Sequence, residues 1–512
     1  MPAAPPDTAD GSGSVAPDAA PDAARDAAPA GAGDAPTAAA EPPVLAVDLD
    51  GTLLRSDMLH ESFWSAFSGD WRTPVTAALA LRQGRAALKR TLAEAAGIDP
   101  ATLPYDPQVI ARIEAWRRAG GRTALVTAAD QRLAEAVAAH LGLFDEVHGS
   151  DGRRNLKGPH KGAFLEQRFG LRGFAYMGDA AADLPVWRRA GRAITVNAGP
   201  VLRRQAEAAC AQTEHLDTAP RGLGPWLQGL RPHQWVKNLL VFLPMLAAQQ
   251  FDGATVLLSV LAFVCFSMVA SSVYLLNDLL DLGADRAHPR KRHRPLAAGR
   301  IPIARGAVLS LALLGLGLGL ALAIGPGFAA VMAGYVLLTT AYSLDLKRRT
   351  VLDICVLAGL YTIRILAGGI ATGIPLSVWL LAFAVFFFLA LAAVKRQAEL
   401  IDSAERGKLT ARGRGYHVDD LPVISMIAIA AGYVAVLVMT LYVNTPMVVA
   451  LYSHPEALWG VSAVLLYWIT RTVMLTHRGQ MHDDPVVYAL RDRTSQLCLA
   501  LCLGFVLLGA LG

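Results

Sequence analysis

From Val236 onward the sequence is a series of apolar stretches, each long enough or nearly long enough to cross a bilayer, and nothing else in the 512 residues limits the fold so strongly. The stretches lie near 238–250, 254–276, 306–325, 327–344, 351–371, 376–394, 422–443, 457–475 and 495–511. Composition agrees: 54% of residues are hydrophobic and only 17% charged, where a soluble chain of this size carries about 25% charged residues. Mean hydropathy is +0.37. These values exclude a wholly soluble protein, a disordered one, a secreted disulfide scaffold and a plain nucleic-acid binder. The five cysteines form no CxxC pair and no Cys/His cluster of metal-ligand spacing; Cys265, Cys355, Cys498 and Cys502 lie in apolar runs and Cys210 stands alone.

The connections between the stretches alternate in charge. Those after the second, fourth, sixth and eighth carry Arg286, Arg290, Lys291, Arg292 and Arg294; Lys347, Arg348 and Arg349; Lys395, Arg396, Arg406, Lys408, Arg412 and Arg414; and Arg478, Arg491 and Arg493. The others, around 249–252, 325–327, 372–375 and 444–456, contain no Lys or Arg. The positive-inside rule assigns the basic loops to the cytosol. The expectation is an all-α polytopic domain of about nine transmembrane helices over 221–512, in an inner (cytoplasmic) membrane, with its C-terminus outside.

Two segments precede it. Residues 1–42 are almost entirely Ala, Pro, Asp, Gly, Ser and Thr, too poor in apolar surface to offset the entropy of ordering, and are read as a disordered tail. They have no basic segment followed by an apolar core, so they are not expected to be a secretory signal, and the domain after them should begin in the cytosol. Residues 43–220 alternate strand-length apolar runs with helical patterns such as Gln131–Leu141 and His160–Phe169. Val44-Leu45-Ala46-Val47 leads to Asp48, Arg122 to Val126 leads to Thr127, and Phe174-Ala175-Tyr176-Met177 leads to Gly178-Asp179. This rhythm predicts an α/β, Rossmann-like domain whose parallel strands present ligand-binding residues at their carboxyl ends. A helical insert, about Leu54–Trp116, is expected to form a lid or cap.

Chemistry concentrates at those strand ends. Asp48 and Asp50, at i and i+2, offer one carboxylate to attack phosphorus and another to protonate the leaving oxygen, with a Mg²⁺ ion between them. Thr127 is placed to hydrogen-bond a phosphoryl oxygen, Lys161 to pair with the phosphate or the nucleophile, and Asp179 and Asp183 to add metal ligands. Lys157, in Asn155-Leu156-Lys157-Gly158, competes with Lys161 for the lysine role, and spacing alone does not separate them. Together DLDGT, a Thr after an apolar strand, a Lys in a KG pair and GDxxxD resemble the four motifs of the haloacid dehalogenase-type phosphatases. That resemblance implies Asp48 as nucleophile, Asp50 as general acid and base, and Mg²⁺ held by Asp48, Asp179 and the Asp50 carbonyl.

A second site is expected where the second apolar stretch ends. In Asn277-Asp278-Leu279-Leu280-Asp281-Leu282-Gly283-Ala284-Asp285 the three aspartates fall at i, i+3 and i+7, on one face of a helix. Carboxylates at a membrane boundary are costly unless they serve a site, and Mg²⁺ is commonly held by one or two of them plus substrate phosphates. Arg290 and Arg294 follow, placed to close over an anionic substrate. The segment 225–512 resembles the UbiA superfamily of intramembrane prenyltransferases. Arg231-Pro232-His233-Gln234-Trp235-Val236-Lys237-Asn238, Tyr342-Ser343-Leu344-Asp345-Leu346-Lys347, Leu360-Tyr361-Thr362-Ile363-Arg364 and Lys395-Arg396-Gln397-Ala398-Glu399-Leu400 narrow it to the branch of decaprenyl-phosphate phosphoribosyltransferases.

That branch implies phosphoribosyl diphosphate as donor and a polyprenyl phosphate lipid as acceptor. Asp278, Asp281 and Asp285 would hold Mg²⁺, and Asn277, Lys237, Tyr342, Lys347, Arg364, Lys395 and Arg396 would bind substrate. KRQAEL stands where aromatic prenyltransferases carry a second aspartate motif, and the spacing from Tyr342 to Lys347 is one residue wider than the superfamily's usual one. The resemblance therefore implies a bifunctional membrane enzyme that makes polyprenyl-phosphoribose and removes its 5-phosphate. The alternative is a UbiA-type aromatic prenyltransferase for quinone or pigment synthesis, carrying an independent or non-catalytic phosphatase-like domain. His482-Asp483-Asp484-Pro485 and Asp492, in the last basic loop, fit either a site or helix caps.

Overall fold

A computed structural model describes residues 44–151, 155–219, 222–407, 409, 414–481 and 484–510. The tail 1–42, and Lys408, Arg412, His482 and Asp483, lie outside the described residues. The first half runs β1 (Val44–Val47), α1 (Met58–Gly69), α2 (Thr73–Arg82), α3 (Arg85–Ala95), α4 (Pro107–Arg118), β2 (Arg122–Asp130), α5 (Gln131–Leu141), β3 (Glu146–Ser150), α6 (Pro159–Phe169), β4 (Phe174–Gly178), α7 (Leu184–Trp187), β5 (Arg192–Val196), α8 (Pro200–Ala209) and β6 (Thr213–Leu216). All six strands are parallel, in the order β3-β2-β1-β4-β5-β6. Every residue of β1 is buried, as a strand covered on both faces requires, which is why VLAV reads as an unbroken apolar run.

The chain order reverses at β1, whose neighbours are β2 and β4. The carboxyl ends of strands at such a switch point are where open α/β sheets bind ligands. One face of the sheet packs on Val109, Ile113 and Trp116 of α4 and on Ala134 and Val137 of α5. The other packs on Leu165, Val186, Trp187 and Ala206. The expected lid, Leu54–Trp116, is therefore too long: α4 presents an i, i+4, i+7 apolar stripe to the sheet and belongs to the core. The lid is α1 to α3. Strand β2 also extends past Thr127, to Asp130.

The second half contains α9 (Gly224–Leu230), a 3-10 helix over Pro232–Phe242, α10 (Leu243–Ala247), α11 (Gly253–Leu280), α12 (Leu282–Arg286), α13 (Ile303–Ile324), α14 (Pro326–Leu344), α15 (Leu352–Thr372), α16 (Val378–Glu405), α17 (Leu421–Val443), α18 (Pro446–Leu451), α19 (Trp459–His477), α20 (Pro485–Arg491) and α21 (Arg493–Ala510). Among the described residues eight helices are long and apolar enough to span a membrane. The stretch expected as the first span, 238–250, is instead the end of the 3-10 helix followed by α10, with Pro244 at the junction. At about 2.0 Å per residue in 3-10 geometry and 1.5 Å in α geometry, the two pieces together extend roughly 30 Å, the thickness of a hydrocarbon core. They pack closely against α15, where a side chain at Gly368 would overlap the Val241 carbonyl. Small residues bring α11 and α13 together in the same way: the Ser272 hydroxyl donates to the Ser310 carbonyl at 2.7 Å.

Candidate functional site

The turn after β1 carries the first site. The Asp48 N–H donates to the Met177 carbonyl of β4 at 3.0 Å, continuing the sheet by one residue and fixing the carboxylate above it. Gly51 has φ +75°, and a side chain there would collide with the Asp179 carboxylate, so the turn admits only glycine. Lys161, 2% exposed on α6, places its Nζ 2.8 Å from Asp48 Oδ2 and donates to the Tyr176 hydroxyl at 2.9 Å. Tyr176 donates in turn to Asp183 Oδ1 at 2.9 Å. The other Asp183 oxygen accepts the N–H groups of Asp179 (3.2 Å) and Ala180 (3.1 Å), which shapes the GDxxxD loop. Lys157 is exposed, so of the two lysines it is Lys161 that reaches the first aspartate.

Asp48, Asp179 and Asp183 each bring an oxygen within 4.8 Å of the others, and among the described residues no other such trio gathers. Their electrostatics ask for a cation. Burial, then Asp48 and Asp183, push the Asp179 carboxyl up to about 8. Burial and Asp48 also raise Asp183. A divalent ion would relieve that unpaired negative charge with oxygen ligands alone, so these residues fit Mg²⁺. Asp50 is not part of the trio but lines the same cavity, and its Oδ1 accepts the Met58 N–H at 2.8 Å at the start of the lid. Burial, then Asp57 and Asp48, raise Asp50 to about 7, so it gives up and takes back its proton near neutral pH. Thr127 is fully buried, and its hydroxyl accepts the Ala129 N–H at 3.0 Å. Lys89 of α3, not anticipated from the sequence, reaches down to the Ala128 carbonyl at 2.5 Å.

In the membrane half the expected trio is not gathered. Asp278, 3% exposed at its side chain, is clamped by Arg231 (Nη2–Oδ1 2.5 Å) and Arg294 (Nη1–Oδ1 3.0 Å). Arg294 also holds Asp285 at 2.6 Å. Asp281 is more exposed, with Lys347 Nζ 4.0 Å away. Two of the three carboxylates are thus ion-paired with arginines, and Asp281 is set apart from them. Asn277 is half-buried beside them, whereas Arg290 is exposed. Arg231, quoted with its motif but not singled out in the sequence, is a non-glycine residue at φ +53°.

Lys237 and Lys395 converge on one carboxylate: Asp484 Oδ2 lies 2.9 Å from the first and 3.1 Å from the second. Burial alone would raise Asp484, but Lys395 and Lys237 hold it well below the ordinary carboxylate range. Asp484 also caps α20 through the Val486 N–H. Beside them Lys237 and Tyr361 open onto an apolar groove of about 300 Å³, lined by Leu240, Leu243, Phe388 and Trp468. Asp492 accepts the Ser495 N–H at 2.8 Å and pairs with Arg471 at 2.7 Å, which makes it a helix cap.

Arg364, 5% exposed, has no carboxylate partner among the described residues. Its Nε donates to Asn238 Oδ1 at 2.9 Å, and its guanidinium lies 5.3 Å from the ring centroids of Phe266 and Tyr335. Arg396 and Tyr342, expected to bind substrate, have their charge and hydroxyl committed elsewhere. Arg396 is fully buried, with Nη2 in ion contact with Asp353 Oδ2 at 2.8 Å, and the Tyr342 hydroxyl donates to Asp353 Oδ1 at 2.7 Å. Arg414 closes the cluster on Asp353 at 2.8 Å. Glu399 pairs with Arg396 as well, so two guanidinium groups, two carboxylates and a hydroxyl gather at the head of α15.

Comparison with known proteins accords with these two halves. The model of the UbiA prenyltransferase family matches residues 239–509, and that of haloacid dehalogenase-like hydrolases matches 45–188. An uncharacterized protein, y4nM of Sinorhizobium fredii, is 40% identical over 456 residues, 88% of each chain. Nodulation protein NoeC of Azorhizobium caulinodans is 38% identical over 287 residues, 55% of this chain and 92% of that one. Decaprenyl-phosphate phosphoribosyltransferase of Mycobacterium tuberculosis is 45% identical over 179 residues, 34% of this chain and 59% of that one. With more than half of its length matched by the family model, the chain belongs to the UbiA prenyltransferase family and carries a haloacid dehalogenase-like hydrolase domain at its N-terminal side.

Proposed function

We propose that the membrane half transfers 5-phosphoribose from phosphoribosyl diphosphate to a polyprenyl phosphate, and that the hydrolase half removes the 5-phosphate from the lipid-linked product. The observation that carries this reading is that the Asp48–Lys161 cluster and the Lys237–Lys395 pair, both suited to phosphate, lie in one compact unit. A transfer that leaves a phosphomonoester on its product gives the neighbouring hydrolase a substrate at high effective concentration. The likeness to decaprenyl-phosphate phosphoribosyltransferase supports the choice of donor and acceptor.

In the transfer, Arg231 and Arg294 exchange the Asp278 carboxylate for the diphosphate of the donor, as bidentate guanidinium groups readily do. The bond from ribose C1 to the diphosphate oxygen breaks, and one forms from C1 to an oxygen of the lipid phosphate. That phosphate is already ionised and needs no base. Lys237 and Lys395 hold it, with the prenyl chain in the apolar groove. In the hydrolysis, Asp48 attacks the terminal phosphorus and Asp50 protonates the leaving oxygen, then takes a proton from the attacking water. Lys161 neutralises the charge that gathers on Asp48. Asp48, Asp179 and Asp183 would hold Mg²⁺, which would supply positive charge near the phosphoryl oxygens. With the 3-10 segment counted as a crossing, every basic loop falls on the side of the hydrolase domain, the cytosolic side of an inner membrane.

The test uses the full chain in nanodiscs with Mg²⁺, labelled phosphoribosyl diphosphate and a polyprenyl phosphate, with the lipid product analysed by mass. Wild type should give ribose-linked lipid, and Asp48→Asn should retain the 5-phosphate. Absence of labelled lipid, with prenyl transfer to hydroxybenzoate in its place, would sink the proposal.

A further inference from the structure

The hydrolase cleft is not closed by its own domain. Its cavity, about 1050 Å³, has Asp48, Asp50, Lys161 and Asp179 at the base and the lid residues His60 and Lys89 on one side. Part of its wall comes from the membrane half: Trp226 and the segment from Gly299 to Arg305 that leads into α13. The lid is fastened there. Glu61 of α1 and Arg286 form a two-pronged ion pair (Nη1–Oε2 2.9 Å, Nη2–Oε1 2.7 Å) with both side chains 5% exposed. Trp64 packs among Leu275, Leu279, Leu282, Leu296 and Ile301. Gly299, at φ +66°, lies so close to Arg55 that any side chain on it would strike the Arg55 backbone.

Two guanidinium groups in that wall lack an acidic partner among the described residues. Arg300 is half-buried, with one Nη donating to the His293 carbonyl, and Arg305 is exposed in the first turn of α13. Arg290, Lys291 and Arg292 of the same basic loop are likewise without an ion pair among the described residues, but only Arg300 and Arg305 of these cations line the cavity. A hydrolase acting on a small phosphomonoester has Lys161 for the single phosphate and no use for cations contributed by a membrane domain. A substrate with a second phosphate set away from the first, and a hydrocarbon chain beyond it, would use them.

We infer that Arg300 and Arg305 form a second anion subsite of the hydrolase, which holds the phosphodiester of a lipid-anchored substrate while Asp48 attacks its terminal phosphate. The membrane half thereby sets the specificity of the soluble half. The inference deepens the function proposed above and rests on it for the identity of the natural substrate. The cation-to-phosphodiester contact is charge-assisted and directional, and it selects against soluble phosphomonoesters, which reach only one end of the cavity.

The experiment measures kcat/KM for phosphate release by the full chain in zwitterionic nanodiscs on three substrates. These are p-nitrophenyl phosphate, polyprenyl-phosphoryl-5-phosphoribose, and a synthetic long-chain alkyl phosphodiester that ends in a phosphomonoester without ribose. Wild type should prefer both lipids. Arg300→Gln and Arg305→Gln should each cut the lipid-to-soluble ratio about tenfold, and Arg305→Lys should restore part of it. Circular dichroism and gel filtration report whether the variants fold. An unaltered ratio, or an equal loss on all three substrates, would overturn the inference. Turnover of the synthetic lipid with its arginine dependence intact, but none of the ribose lipid, would sustain the subsite and refute the proposed function instead.

Discussion

Removing the metal should loosen one loop of the hydrolase domain in a pH-dependent way. The Asp179 carboxyl stands at about 8, against an ordinary 3.8. At 1.36 kcal/mol for each tenfold step, that difference is worth about 6 kcal/mol if undiminished. Local opening leaves Asp179 near Asp48 and Asp183, so the opened carboxyl keeps much of its shift, and the part released is about 2 kcal/mol, roughly a thirtyfold change in a local opening equilibrium that falls toward the upper end of the range. The sign follows from proton binding. A carboxyl whose folded value is raised contributes stability that is fully present below 3.8 and is lost as pH rises through about 8.

Without metal, the loop after β4 should therefore weaken between about pH 5.5 and pH 8, and Mg²⁺ should restore it chiefly at the upper end. The N–H groups of Asp179 and Ala180, both held by Asp183, report on it directly. Hydrogen exchange of a peptide spanning Phe174–Trp187 would be compared with Mg²⁺ and with EDTA at each pH, which cancels the intrinsic pH dependence of exchange. Protection by Mg²⁺ should be about thirtyfold at pH 8 and several-fold smaller at pH 5.5, and Asp179→Asn should flatten the difference. A metal effect of equal size at both pH values would refute the electrostatic account of this cluster.

Three further outcomes are expected. Asp50→Asn should lower kcat for phosphomonoester hydrolysis by about 10²–10⁴; because Asp50 is protonated below about 7, wild-type activity should fall above that pH, and the variant should lose this limb of its pH–rate profile. Arg286→Met strands the buried Glu61 carboxylate, at a cost of about 3–5 kcal/mol, so limited proteolysis should cut the lid helices far faster than in wild type; pairing it with Glu61→Gln should recover much of the loss. Lys237→Met and Lys395→Met should each raise KM for polyprenyl phosphate about tenfold and leave KM for phosphoribosyl diphosphate within about twofold, as radiolabel incorporation into lipid would reveal.

Much of this molecule is written locally in its sequence. VLAV followed by DLDGT carries both a strand and the turn that closes it, because a parallel strand buried on two faces has to be apolar throughout and its carboxyl end is where polar residues can emerge. The spanning helices are legible for a similar reason: hydrocarbon admits few charges over about twenty residues. Pairings across long separations are another matter. Glu61 meets Arg286, and Lys237 meets Asp484, yet no periodicity links such distant positions, and neither residue of a pair points to its partner. The spacing of the aspartates in NDLLDLGAD reads as one helix face, but α11 ends at Leu280 and α12 begins at Leu282, and the sequence is silent both on that break at Asp281 and on the two arginines that divide the carboxylates. Arg396 and Tyr342 stand in motifs that point to substrate, and the sequence gives no sign that both also contact Asp353 at the start of α15.

The 3-10 geometry of Pro232–Phe242 has one more effect, on the alignment of side chains along the apolar groove. Lys237, Leu240, Leu243 and Leu246 all line it, each three positions after the last. With three residues per turn, side chains at i and i+3 eclipse, so from Lys237 to Leu243 the cation and its leucines stand in one straight file. In an α-helix, at 3.6 residues per turn, each step of three would fall about 60° short of a full circle. The same residues would then wind away from one another, and the segment would be about 5.5 Å shorter over its eleven residues. A rail with a charged end and an apolar length exists here only because the backbone is wound more tightly than usual.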